Sequence, residues 1–138
     1  MVKNLILIFI GGGLGSTIRF LISKINYSNL NFPLGTLFVN LLGSFLIGLI
    51  IGYGLKNNNI NNPEFIFLTT GFCGGFTTFS AFSAESLEML NSGSYNYFFI
   101  YSSTTIIAGI FFAFLGLILL PVKIGPKPFC KPTNFGNN

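Results

Sequence analysis

The sequence predicts an all-α membrane protein with four transmembrane helices, the third of them broken mid-membrane. Three observations carry that prediction. The 138 residues are 51% hydrophobic and 7% charged, with a mean hydropathy of +0.72, which leaves too few charges to cover a soluble domain. Four apolar stretches, Leu5–Ile22, Phe32–Leu55, Phe65–Leu90 and Tyr97–Val122, each reach the roughly 20 residues a helix needs to cross a hydrocarbon core. The third contains GFCGGFTTFSAFSAES, Gly71 to Ser86, whose paired glycines and paired threonines are poor material for a continuous helix.

Residues 1–122 form one four-span domain, and no length is left for a second. The connecting segments Ser23–Asn31, Lys56–Asn62 and Asn91–Asn96 are short and rich in Asn and Ser, as turns between spans are. Residues 123–138, KIGPKPFCKPTNFGNN, interleave Pro and Lys too closely to hold a helix and read as a disordered basic tail. The first apolar run follows Met1-Val2-Lys3 as a signal peptide would. It is long and glycine-rich, ends at Arg19 and is followed by no small-residue cleavage site, so it reads as a retained span. With both termini on one side, Lys3, Lys56, Lys123, Lys127 and Lys131 face one compartment and Arg19 and Lys24 the other. The positive-inside rule then favours cytoplasmic ends in the cell membrane.

Much is excluded by what the chain lacks. It has no His, and its acids are Glu64, Glu85 and Glu88, so the usual acid–base, triad and metal-hydrolase constellations cannot be assembled, and an enzyme is not expected. The glycines of GGGLGS lie inside a span and no Lys-Ser or Lys-Thr follows them, which rules out a phosphate loop and an ATP-driven pump. Cys73 and Cys130 fall at different depths and make no metal or redox spacing. The net charge of +4 is not gathered into a basic patch interleaved with aromatics, so nucleic acid is not an expected partner.

The polar residues inside the spans carry the remaining information. In the first span, Gly11 and Gly15 stand four apart with Gly12 and Gly13 between them, a pattern that permits close helix contact. Arg19, near its end, must snorkel to the interface or be paired. In the second, Thr36, Asn40, Ser44 and Gly48 recur every fourth residue and make one polar, small-residue stripe. The Asn40 carboxamide is either interhelical glue or a pair of N–H donors for an anion. The fourth span repeats the theme with Tyr101, Thr104, Thr105, Ala108 and Gly109 on one side. Two facing rows of uncharged donors suit a pathway for something small.

In the third span the break is expected over Gly74 to Thr78. Irregular backbone at membrane depth is tolerated only where it is buried in protein or lines a cavity, because its freed groups need partners. Free carbonyls with no acid nearby make a site for a hard cation, and half-helix termini add fixed partial charges. Beyond the break, Phe79 and Phe82 are three apart, as are Ser80 and Ser83, giving an aromatic edge and a hydroxyl row on adjacent faces. A Phe pair at this spacing elsewhere is ordinary core packing.

GGGLGSTIRF, GTLFVNLLGSFLIGL and GFCGGFTTFSAFSAES together, in order and in register, resemble the signatures of the Fluc/CrcB-type fluoride channels. The resemblance spans essentially the whole chain up to the tail. It implies a dual-topology dimer of two subunits in opposite orientation, with two fluoride pathways along the subunit interface. A sodium ion at the dimer centre would be held by main-chain carbonyls of both subunits, at positions matched here by Gly74 and Thr77. Phe79 and Phe82 match the paired aromatics beside the fluoride path, Asn40 its essential polar side chain, and Tyr101 and Thr105 part of a hydroxyl track. Thr36 and Ser80, from the stripes above, complete the candidate pathway. Where the family often has Ser after Thr105, this chain has Gly109. Arg19 and Glu85 match charged positions of the family pattern, as vestibule or structural groups.

The implied function, passive export of cytoplasmic fluoride as protection against its toxicity, agrees with the chemistry. Fluoride is small and strongly hydrated, so a selective pore must replace its water with closely placed donors. A full positive charge in the path would bind it too well to release it. Aromatic rings offer a positive edge that stabilises an anion weakly, and a central cation offsets part of the cost of bringing an anion into low dielectric. Three alternatives stand beside this one. A proton-coupled multidrug exporter needs a membrane-buried carboxylate, typically in its first span, and Leu5–Ile22 has none. A purely structural membrane protein accounts for the glycines but not for a break beside an Asn-bearing stripe. A fixed-orientation subunit paired with a separate, oppositely oriented homologue keeps the function, and the lysine bias favours it.

Overall fold

The computed structural model describes residues 1–24, 32–57, 59–60 and 62–120. The expected tail, residues 123–138, lies outside the described residues, as do most of the first connection and part of the second. Among the described residues four helices are long and apolar enough to cross a membrane: Val2–Ser23, Leu34–Asn57, Pro63–Asn91 and Tyr95–Leu119. The first two are α1 and α2, and the third is composite. It comprises α3 (Pro63–Ile66), a π-helical stretch Phe67–Cys73, α4 (Gly74–Phe76) and α5 (Phe79–Asn91), and α6 (Tyr95–Leu119) completes the fold.

Local chemistry sets the ends of the composite span. Extended Asn62 precedes Pro63 at the first helical position, where the missing N–H costs nothing, and Glu64 sits in the first turn, where the helix dipole favours an acid. Helical backbone lapses at Thr77 (φ −79°, ψ 151°) and Thr78 (φ −144°, ψ 115°). Thr78 then caps α5, its Oγ1 accepting from Ala81 N at 3.1 Å. After α5 the chain turns through Gly93 at φ +73°. There Ser94 N donates to Met89 O at 2.9 Å and Gly93 N to Leu90 O at 3.1 Å, the paired bonds of a Schellman ending that only glycine makes without strain.

The interruption is narrower than the expected Gly74–Thr78. Gly74 and Gly75 are helical, and only the two threonines are extended. Gly75 is there for proximity: a Cβ on it would overlap Gly12 O of α1. Likewise a Cβ on Gly15 would overlap Phe72 O, and one on Gly11 would stand 2.8 Å from Phe67 O. Thus α1 lies backbone against backbone along the π-helical stretch and α4, as the glycine spacing predicts. The π-helical turns themselves were not foreseen.

A second glycine seam joins α2 to α6. Cβ atoms on Gly48 and Gly116 would overlap Ala113 O and Phe45 O respectively, and one on Gly52 would stand 3.1 Å from Leu117 O. The two helices run parallel, so each turn advances both together. Tyr101, Phe76, Val39 and Cys73 are the largest fully buried side chains among the described residues, while Phe9, Ile107, Ile110 and many other large apolar side chains point outward, as suits a hydrocarbon surround.

Candidate functional site

The interrupted segment is held by a side chain from α2. Asn40 Nδ2 donates to Thr78 O at 3.1 Å, and Thr78 N donates to Asn40 Oδ1 at 2.8 Å. The carboxamide thus satisfies the amide of an extended residue that has lost its helical acceptor, and shares the Thr78 carbonyl with the first turn of α5. One of its two N–H groups is committed to Thr78, and the other makes no hydrogen bond among the described residues.

The same bonds release two carbonyls. Thr78 N, which would bond Gly74 O in a continuous helix, goes to Asn40, and Ala81 N, which would bond Thr77 O, goes to the Thr78 hydroxyl. Gly75 O, between them in the chain, accepts from Arg19 Nε of α1 at 3.3 Å. Arg19 therefore pairs with a main-chain carbonyl and ties α1 to the interruption.

Glu85 anchors the adjoining end of the site. Its Oε1 accepts from Thr36 Oγ1 of α2 at 2.5 Å and its Oε2 from Tyr101 OH of α6 at 2.7 Å, so one carboxylate joins three helices. These charge-assisted bonds take up the hydroxyl protons of two residues expected to line the pathway. An aromatic chain follows the same edge: Phe79 and Phe82 have centroids 5.6 Å apart, Phe82 and Tyr101 5.2 Å, and Tyr101 and Phe32 5.5 Å at 83°. Phe79 is 79% exposed, so most of its ring is left uncovered by this chain beyond its contact with Phe82.

Between α2, α6 and the interruption lies an open recess of about 370 Å³. Of the residues singled out from the sequence, it brings together Asn40, Gly74, Thr77, Phe79, Phe82 and Thr105. Thr36 and Tyr101 meet instead at Glu85, Ser80 is exposed beside the Thr78 hydroxyl at 3.1 Å, and Arg19 approaches from the α1 side. Neither carboxylate nor ammonium lines the recess among the described residues. Thr78 was missed as a site residue. Its signal was the Thr-Thr pair before a run of good helix formers, the pattern of an N-cap.

Four membrane-length helices, three of them lining an uncharged recess with polar groups, define a small polytopic membrane protein. The profile of the family described as CrcB-like protein, Camphor Resistance (CrcB), matches residues 6–117. The chain belongs to that family. It is 46% identical over 123 residues to the "Fluoride-specific ion channel FluC" of Azobacteroides pseudotrichonymphae genomovar. CFP2, covering 86% of this chain and 97% of that one. It is 49% identical over 118 residues to the protein of that name from Phocaeicola vulgatus, covering 83% and 96%. With the one from Aquifex aeolicus it shares 45% over 112 residues, 80% and 90% of the two chains.

Proposed function

We propose that this protein is a fluoride-selective passive channel of the cell membrane, not an enzyme, that lets cytoplasmic fluoride leave down its electrochemical gradient. The observation that carries this reading is the recess itself. The free N–H of Asn40, the hydroxyl of Ser44 and the rings of Phe79 and Phe82 converge on it with no ionised side chain. Such a set can replace the water of a small anion without trapping it. The names of the similar proteins support the same ion.

The working unit is a dimer of oppositely oriented copies. Asn40, Gly74 and Thr77 line an open recess at membrane depth, and Phe79 projects from its rim. Polar backbone facing lipid costs several kcal/mol per group, so a second copy covering this face removes a large penalty. A sodium ion belongs at the centre of that unit. The carbonyls of Gly74 and Thr77, freed from helical bonding, are hard oxygen donors of the type sodium takes. The bound cation supplies fixed positive charge that favours an anion nearby. Asn40 and the Thr78 hydroxyl hold those carbonyls free.

The lysine distribution favours a second version, in which this subunit keeps one orientation and pairs with a separate homologue. Fluoride efflux from liposomes containing only the purified chain tests both. Passive loss of fluoride but not chloride, without ATP or a pH gradient, is the expected result. Silence from this chain that is relieved by a co-reconstituted homologue supports the paired version, and flux requiring an imposed pH gradient overturns the channel reading.

A further inference from the structure

The parallel seam between α2 and α6 stays in register along its length. Thr36 and Tyr101 meet at Glu85, Gly48 lies against Ala113 and Gly52 against Leu117, each helical turn carrying both helices forward together. Asn40 and Thr105 line the recess on the rung after Glu85. The next rung sets Ser44 opposite Gly109, where an added Cβ would stand 3.6 Å from Ser44 Oγ.

Most hydroxyls of the recess are already engaged. Thr69, Thr77 and Thr105 donate to the carbonyls of Phe65, Cys73 and Tyr101, one turn back in each case, and the Thr78 hydroxyl shares a proton with Ser80. Ser44 also lines the recess, but its Oγ makes no hydrogen bond among the described residues. A hydroxyl at membrane depth ordinarily bonds its own helix, so one that forgoes this bond and faces a cavity has a proton to give. One turn further, the backbone contact of Gly48 with Ala113 closes the seam. Ser44 is thus the last donor on this wall, facing the bare backbone of Gly109.

We propose that Ser44 forms a further anion subsite one helical turn beyond Asn40, its hydroxyl serving the rung at which α6 offers only Gly109. The ligand class is a small, strongly hydrated anion, and the inference rests on the channel reading above. Gly109 contributes by absence, since its missing side chain leaves the Ser44 hydroxyl free to turn into the recess.

The test is fluoride efflux from liposomes containing the purified full chain. Ser44→Ala slows efflux by roughly ten-fold or more, the loss expected for one hydrogen bond to a charged ligand. Ser44→Thr conducts several-fold faster than Ser44→Val, a pair of equal shape that differs in the hydroxyl. Adding Gly109→Ser to Ser44→Ala restores the hydroxyl from the opposite helix and recovers efflux, with size-exclusion profiles matched throughout. Wild-type efflux from Ser44→Ala overturns the subsite while leaving the channel reading intact, as do equal rates for the Thr and Val variants. A Gly109→Ser change that conducts alone but fails to rescue Ser44→Ala overturns it as well. A wild-type chain with no fluoride efflux, alone or with a homologous partner, removes the channel reading and the subsite together.

Discussion

Asn40 holds Thr78 by both of its backbone groups, donating to the carbonyl at 3.1 Å and accepting from the amide at 2.8 Å. A side chain on α2 therefore does for the third span what a missing helical turn cannot. The same amide that it captures is the one that would otherwise cover Gly74 O. Interruption, free carbonyl and remaining donor are consequences of one pair of hydrogen bonds.

Asn40→Asp and Asn40→Ala are expected to fail for different reasons. Asp keeps the acceptor for Thr78 N but loses the donor and places a negative charge in the recess, so efflux should stop while the fold persists. Ala leaves the Thr78 amide bare, at about 1–3 kcal/mol for an unsatisfied group, and should lower thermal stability as well as efflux. Melting curves in detergent alongside liposome efflux check the pair. Normal efflux from both would remove Asn40 from the path.

Glu85 should matter first as a structural acceptor. Glu85→Ala strands the hydroxyls of Thr36 and Tyr101, both buried, with Tyr101 at 0% exposure. A loss of about 1–3 kcal/mol per hydroxyl is expected. Glu85→Gln retains one acceptor oxygen and an amide that a rotated hydroxyl can accept from, so its loss should be smaller. Equal melting temperatures for the Ala and Gln variants would contradict this role.

The glycines should divide sharply by position. Gly15→Ala and Gly48→Ala each push a methyl into opposing backbone, at Phe72 O and Ala113 O, and should cost roughly 1–3 kcal/mol or more because backbone cannot swing aside. Gly13→Ala meets nothing within 4 Å and should be neutral or slightly stabilising through helix propensity. Comparative melting of the three variants decides the matter. A destabilised Gly13→Ala would contradict this division, since it would require something other than this chain's described residues to cover that position.

Phe82→Ile separates conduction from assembly. Phe82 packs on both Phe79 and Tyr101, so an aliphatic side chain of comparable bulk should leave a folded protein, at a cost below about 1.5 kcal/mol. Efflux should still fall, because the aliphatic side chain has no positive edge to offer. Undiminished efflux would return Phe82 to the role of packing.

The sequence by itself determined the membrane setting and the four spans, because composition and spacing along one helix are local properties. It also marked Gly11 and Gly15 as contact points, since a stripe of missing side chains is visible before its partner is known, whereas Gly48 read as part of a polar stripe and turned out to be a contact with α6. Which groups meet was decided only by tertiary structure. Thr36 and Tyr101 read as lining for a path, and both give their protons to Glu85; Asn40 read as either interhelical glue or a donor, and its carboxamide joins α2 to Thr78 of the third span. These partners lie on different helices, and their pairing follows from the depth at which Gly48 lets α2 settle on α6. The π-helical turns were likewise decided by tertiary structure: α1 lies backbone against backbone along them, and a residue's own conformational preference is too weak to announce it.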